Sequence, residues 1–460
     1  AYSQRTGLST VGSSWSEVTA VKYDADDPDY RDYYSNSSGG AGLTTGRITG
    51  LAADNAGNVY AAGAMGGVWR STTGGGKWTP IADALPSLSS GDLELGADGA
   101  LWFATGEANT GGTSYVGSGV YRLANPTSGK FSPSNRVGGT ELESTTINSL
   151  RFTKTRVYAA SLRGVWYHAI GAGANLSSAW TLAYAPNPGY LPKDLQQYST
   201  TQTGFGTITT AGNSNAAYKN IVNDVAIDPK NEQHIIAAIG WRSGDTYNGF
   251  YESNDNGVSW AKINPQGGID ATDIGYVNFA FSKSGDKLYA INQSPRLLNK
   301  GTGTVNSYLD GIYVSNTGNP AGPWSKIAES TKLANSGSAL KQAVGGKGYG
   351  PGIQAWYNQF IIVDPNDANH VYAGLEEVYE TKDGGANWSA VGPYWNFYFS
   401  CWNQNILYPP NGASGANGCP QTTHSDQHSV AIGTVSGKPY VFVGNDGGVY
   451  RRPLNGAVNA

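Results

Sequence analysis

Apolar and polar residues alternate along this chain in short runs, each broken by Asn-Gly, Asp-Gly or Gly-Gly. Alternation with period two places successive side chains on opposite faces of a strand, and glycine-containing dipeptides supply tight turns between strands. Over residues 46–81, GRITGLAADNAGNVYAAGAMGGVWRSTTGGGKWTPI, four such runs follow one another, the grammar of a four-stranded antiparallel meander. The same order recurs over 222–263 and 352–391, and in weaker copies over 91–134, 147–184 and 277–327. The last unit, 427–453, offers only three runs, and SSWSEVTAV at 13–21 supplies the missing outer strand. Six full units and one shared between the two ends predict an all-β fold: a single seven-bladed β-propeller spanning 1–460. Pairing the N-terminal strand with the last blade closes the ring and removes an open sheet edge. Helix is expected to be nearly absent.

The turn before the fourth strand carries a signature. Ser253-Asn-Asp255-Asn-Gly257-Val-Ser-Trp260 and Thr381-Lys-Asp383-Gly-Gly385-Ala-Asn-Trp388 follow S/T-x-D-x-G-x-x-W in full. Ser71 to Trp78 departs only in Thr73, and Ser315 to Trp324 is a stretched version. An aspartate in such a turn accepts hydrogen bonds from its own backbone, glycine supplies the left-handed conformation, and tryptophan packs between sheets. These aspartates are therefore structural. So are His234 and His370, which sit in D-P-x-N/D-x-x-H turns on the same side.

On these motifs the chain resembles the Asp-box (BNR-repeat) propellers, which include sialidases, xyloglucanase-type endoglucanases and the sortilin ectodomain. The stretches GVWRSTTGGGKW, FATGEANTGG and HSDQHSVAIG…VFVGNDGGVYR are similar to secreted bacterial BNR-repeat proteins labelled glycosyl hydrolases. The resemblance implies the fold, and one scaffold hosts many activities. A sialidase would bring an F/Y-R-I-P arginine motif, for which Gly46-Arg47-Ile48-Thr49 is a poor substitute. The xyloglucanase type would place an acid just before the Gly-Gly of the first unit. Ala64-Met65-Gly66-Gly67 lacks it, whereas Asn445-Asp446-Gly447-Gly448 has one in the corresponding place.

Charge and composition narrow the partners. Only 14% of residues are charged and the net charge is −4, which argues against nucleic acid. No apolar run is long enough to span a bilayer. The chain opens at Ala1 and its only methionine is Met65, so a secreted, extracellular protein is expected, acting as a monomer. Cys401 and Cys419 share one Gly/Asn/Pro-rich loop. A disulfide between them would be worth roughly 3 kcal/mol on the chain-entropy model.

Candidate chemistry gathers where a propeller places its long loops. The connections between blades, at 22–45, 185–221, 328–357 and 392–426, are long and aromatic, and lie on the same face as the turns between second and third strands. Those turns carry Glu107, Arg163, Arg242 with Asp245, Arg296, Glu376 with Glu377, and Asp446. Strand alternation sends at most one of Glu376 and Glu377 inward, leaving the other as solvated surface. Tyr115, Trp241, Tyr247, Tyr349, Trp356, Tyr357, Trp395 and Trp402 surround them. Carboxylates among aromatic faces suit a sugar chain: rings stack on sugar faces while acid and base act across the glycosidic bond. The leading expectation is a glycoside hydrolase acting on a polysaccharide or oligosaccharide, with Asp446, Glu107 and Asp426 as acid/base carboxylates and His424 and His428 assisting. Arg163, Trp241, Arg242, Glu376, Tyr357, Trp395 and Trp402 would bind the substrate.

His424-Ser-Asp426-Gln-His428 is the most concentrated chemistry in the sequence. In an extended segment its three side chains share a face, where they would hold a divalent metal, transfer protons, or form a hydrogen-bonded plug anchoring the last blade. No cofactor is required for hydrolysis; Ca²⁺ or another divalent ion at this cluster is the one the sequence leaves room for. The acidic run Asp24 to Asp29 lacks EF-hand spacing and reads as a solvated loop. Two rival readings stay open: a non-catalytic glycan- or protein-binding propeller, and a polysaccharide lyase with histidine or tyrosine as base and arginine neutralising a uronate. There is no phosphate loop, G-x-S-x-G elbow or H-E-x-x-H motif.

Overall fold

The computed structural model describes residues 16–18, 23–24, 43–107, 115–186, 220–300, 306–340, 349–393 and 422–456. Seven four-stranded antiparallel sheets follow in chain order, each running outward from its innermost strand. Blade 1 comprises Ile48–Ala53, Val59–Gly63, Gly67–Ser71 and Thr79–Pro80, and blade 2 Ser90–Leu95, Leu101–Thr105, Val120–Leu123 and Arg136–Val137. Blade 3 runs Ile147–Phe152, Arg156–Ser161, Gly164–Ala169 and Thr181–Tyr184, and blade 4 Val222–Asp228, Asn231–Ile239, Gly249–Ser253 and Ala261–Ile263. Blade 5 holds Val277–Phe281, Leu288–Gln293, Leu309–Ser315 and Trp324–Ala328, and blade 6 Phe360–Asp364, Asp367–Gly374, Val378–Thr381 and Ser389–Gly392. Blade 7 is built from Gln427–Val435, Lys438–Asn445 and Gly448–Pro453, with Ser16–Glu17 paired antiparallel on its outer edge. Val18 continues that edge, its N–H donating to Val449 O at 2.9 Å. Helix among the described residues is confined to Pro295–Leu298, Ser330–Ala334 and a single 3₁₀ turn at Pro133–Asn135.

The second strands are buried on both faces, as VYAAG in blade 1 and LWFAT in blade 2 show, because each sheet is covered by a blade on either side. Between blades 1 and 2 this contact packs Tyr60, Ile81, Leu93, Phe103 and Phe131 together.

The signature turns close as their chemistry requires. Asp255 Oδ1 accepts from Ser253 Oγ at 2.7 Å and from Ser259 N at 2.8 Å, and Ser253 Oγ accepts from Gly257 N at 2.8 Å. Blade 6 repeats this with Thr381, Asp383, Gly385 and Asn387. In blade 1 the Thr73 hydroxyl replaces the carboxylate, accepting from Lys77 N at 2.9 Å. Gly385 has φ of +96°, and a Cβ there would strike Ile327 of blade 5, so both conformation and packing demand glycine. His234 and His370 lie on this face, each flanked by two carboxylates: Asp228 and Glu252, and Asp364 and Glu380.

Three innermost strands are stitched at the channel by charge. Asp92 of blade 2 accepts from Leu93 N and, across to blade 3, Leu150 N; Asp224 of blade 4 accepts from Val225 N and, across to blade 5, Phe279 N. Arg151 of blade 3 sits between them, 3.5 Å from Asp92, 3.2 Å from Asp224 and 3.0 Å from Glu94. Cys401 and Cys419, with their expected disulfide, lie outside the described residues, as do Trp395, Trp402 and the Asp26–Asp29 part of the acidic run.

Candidate functional site at the channel mouth

The innermost strands do not alternate cleanly at their first residues. In blades 1, 2, 3, 4 and 7 the register slips there by one, leaving Thr49, Gly91, Asn148, Asn223 and His428 as the extra residue of a β-bulge. A bulge re-aims the side chain it carries. Thr49, Gly91, Asn148 and His428 line one cavity of about 140 Å³ in the central channel, together with Glu107 and Tyr357.

At the mouth of that cavity five side chains form a continuous network. Arg47, just ahead of the first strand of blade 1, meets Glu107 side-on, with Nε 2.8 Å from Oε1 and Nη2 2.9 Å from Oε2. Its Nη1 donates to the Tyr357 hydroxyl at 3.1 Å. That hydroxyl donates in turn to Asp446, 3.2 Å from Oδ1 and 3.3 Å from Oδ2. His428 Nε2 lies 2.8 Å from Asp446 Oδ1, and its ring meets Tyr357 edge-on at 4.8 Å. Asp446 is the exposed member, with 28% of its side chain accessible against 3% for Glu107.

Asp426 stands next to this network. Its φ is +64°, its Oδ1 accepts from Asn358 Nδ2 at 2.7 Å, and its N–H donates to Glu376 O at 3.1 Å. The two aspartates are driven apart. Burial, the charge of Asp446 and the charge of Glu376 push the Asp426 carboxyl well above the usual carboxylate range. Burial acts on Asp446 in the same sense, but the hydrogen bond from His428 and the charges of His428, His424 and Arg47 hold it below that range. Glu107 is raised by burial although Arg47 pulls it down.

Other expected site residues have different places. Glu376 is buried, and its carboxylate accepts from Gly352 N at 2.7 Å and Gln354 N at 2.6 Å, pinning the segment that carries Trp356, Tyr357 and Asn358. Burial pushes it up to about 7. Glu377, expected to be solvated if Glu376 points inward, is buried too: these residues form a turn rather than a strand, and Glu377 accepts from Ser338 Oγ and Ala339 N. Trp241 is only 6% exposed and packs on Leu162 and Ile221, so its ring is part of the core rather than a sugar platform. Arg163 is buried, its Nη2 donating to Ser144 O at 2.7 Å. Arg242 lies over the Trp356 ring at 4.2 Å, and Trp356 is 5.8 Å from Tyr357, which links the blade 4 rim to the mouth.

The His424–Asp426–His428 cluster requires a correction. The segment is not extended, because Asp426 is left-handed and His428 occupies a bulge, so the three do not present one donor set. His424 turns to Ser425 O, Asp426 to Asn358 and His428 to Asp446. Among the described residues no group of three or more His, Cys, Asp or Glu side chains is set out to hold a metal ion. Arg47, which the sequence reading set aside for lacking an arginine motif, proves central. Its signal was position: it precedes the first innermost strand much as His424 and Asp426 precede the last.

No family model matches the chain, and no curated protein matches it. Solved structures do. An ancestral GH74 enzyme is similar at 17% identity and a TM-score of 0.50, over 89% of this chain and 45% of that one. The GH74 xyloglucanase from Xanthomonas campestris is similar at 17% identity and 0.50, over 96% of this chain and 54% of that one. YCF48 from Cyanidioschyzon merolae is similar at 11% identity and 0.49, over 96% of this chain and 98% of its own. The chain thus spans about half the length of the two GH74 enzymes. The likeness to the two GH74 enzymes is one of fold, and that fold is the β-propeller, of which this chain forms seven blades. No helix among the described residues is long and apolar enough to cross a membrane.

Proposed function

We propose that this chain is a glycoside hydrolase that cleaves a polysaccharide laid across the channel mouth, with Asp446 and Asp426 as the working carboxylates. The observation that carries this reading is the different setting of two neighbouring aspartates: Asp446 is hydrogen-bonded to His428 and Tyr357, whereas Asp426 is held by the neutral amide of Asn358. Environments that hold one carboxyl down and push the other up assign base and acid. Asp426 enters protonated and gives its proton to the glycosidic oxygen as the C–O bond breaks. Asp446, ionised and partly exposed, supplies negative charge at the anomeric carbon, and water then adds to that carbon, giving a proton back to the Asp426 carboxylate. His428 and Tyr357 hold Asp446 in place, Arg47 orients Tyr357, and Glu107 orients Arg47. Trp356 with Arg242 would extend the sugar path on one side. The reaction needs no cofactor, and work outside the cell on a polymer fits a monomer with its site on one open face.

The test is a glycan panel that includes xyloglucan, the polymer named for one structural neighbour, with release of reducing ends as the readout. Cleavage is expected, falling by at least about 100-fold in Asp446→Asn while the thermal melt stays unchanged. Retention on a glycan column without any cleavage would instead make the chain a binding propeller. One contact favours a second reading: a phenol and an imidazole meeting edge-on beside a guanidinium, at Tyr357, His428 and Arg47, suit proton abstraction from a uronate. Ultraviolet absorbance from an unsaturated uronate product would identify that lyase reaction.

A further inference from the structure

The cavity that opens at Tyr357 and His428 continues along the innermost strands to the charged stitch of blades 2, 3 and 4. Its walls there are short of positive charge: Asp92, Glu94 and Asp224 share the single guanidinium of Arg151. Both aspartates are already engaged by two backbone N–H groups each. Glu94 takes no backbone donor among the described residues and meets only Arg151. Burial and the charge of Asp92, with Asp224 adding to them against the pull of Arg151, push its carboxyl up to about 8.

A second observation is independent of the acids. Gln359 is 4% exposed and lines the same cavity. Its Nε2 donates to Tyr276 O at 3.0 Å, which fixes the amide's orientation, and its buried Oε1 meets no donor among the described residues. Asn278, also in the wall, has a buried Oδ1 in the same condition. Unsatisfied buried acceptors are rare in folded proteins and point to something that donates. The inventory here is one-sided: two amide oxygens and a carboxyl group whose ionised form a bound cation would favour.

We infer that the channel below the mouth binds a protonated primary amine, and that the ligand is an amino-sugar residue of the polysaccharide whose cleavage is proposed above, on which the second half of this inference rests. An ammonium brings three donors and one positive charge, which matches Glu94, Gln359 Oε1 and Asn278 Oδ1. A divalent metal is a poorer match, because it wants several free carboxylates and the aspartates here are engaged. The cavity has room for more than one water-sized group, and it opens beside the residues that hold Asp446.

Calorimetric titration of the full chain with glucosamine, glucose, N-acetylglucosamine and methylammonium tests this. Glucosamine is expected to bind at least about tenfold more tightly than glucose or N-acetylglucosamine, and Glu94→Gln to remove that margin. Glu94 also holds Arg151, so Gln359→Met serves as a second variant with the carboxylate cluster intact and is expected to weaken glucosamine several-fold. Equal affinity for the three sugars, absence of binding, or two variants that both bind like wild type overturns the inference. Methylammonium binding without glucosamine binding keeps the amine site and overturns the amino sugar. Cleavage of neutral glycans with no preference for aminated ones overturns the inference and leaves the hydrolase reading standing.

Discussion

At the scale of single residues, the site turns on how one aspartate is held. Asp446 is flanked by His428 and Tyr357, and a carboxylate that loses a donor becomes easier to protonate. In Tyr357→Phe the acid limb of the rate profile should move to higher pH, with kcat/KM about tenfold lower on that limb. A profile that keeps its acid limb would remove Tyr357 from the account. Asp446, Glu107, Tyr357 and His428 were legible as candidates because each stands where a propeller gathers function. Their roles were not. Nothing in the order of residues says that Glu107 faces Arg47, since the two come from different blades and meet only once the ring is closed. Trp241 misled for the opposite reason: a large ring at the start of a rim turn reads as exposed, but the blade 3–4 contact covers it.

At the scale of elements, alternation and turn chemistry made the meanders readable, and the signature turns close through the hydrogen bonds their residues offer. Alternation failed at the bulges. A single extra residue at the start of an innermost strand inverts the parity on which a shared-face argument depends, and His428 is such a residue. The charged stitch was also hidden, because Asp92, Arg151 and Asp224 sit at unremarkable strand positions nearly sixty or more residues apart. Asp224→Ala tests its weight. The substitution strips the acceptor from the Phe279 N–H, leaves the Val225 N–H with Ser149 Oγ alone, and leaves Arg151 with one partner fewer. It should destabilise the fold by about 3 kcal/mol in urea unfolding. A loss within the scatter of surface substitutions would show that the channel is held by packing alone.

At the scale of the whole molecule, six full repeats and an incomplete last unit foretold the architecture, and the N-terminal segment does meet blade 7 at Ser16–Glu17. Removing residues 1–18 exposes the outer edge of Gly448–Pro453, so a lower melting temperature and concentration-dependent aggregation are expected. A truncated chain that melts and sediments like the full one would make that strand dispensable. The ring matters to function because it brings Arg47, Glu107, Tyr357, Asp426 and Asp446 from blades 1, 2, 6 and 7 and their connections to one mouth. In the proposed reaction the mouth works through a proton held on Asp426, whose carboxyl is pushed up, and through an ionised Asp446, whose carboxyl is held down. The most direct measurement is therefore kcat/KM against pH on a cleaved glycan for wild type and Asp426→Asn. Wild type should give a bell, rising as Asp446 ionises below the ordinary carboxylate range and falling as Asp426 loses its proton well above it, and the variant should lose most of its rate together with the alkaline limb. An Asp426→Asn enzyme that keeps the wild-type rate and both limbs would contradict the account.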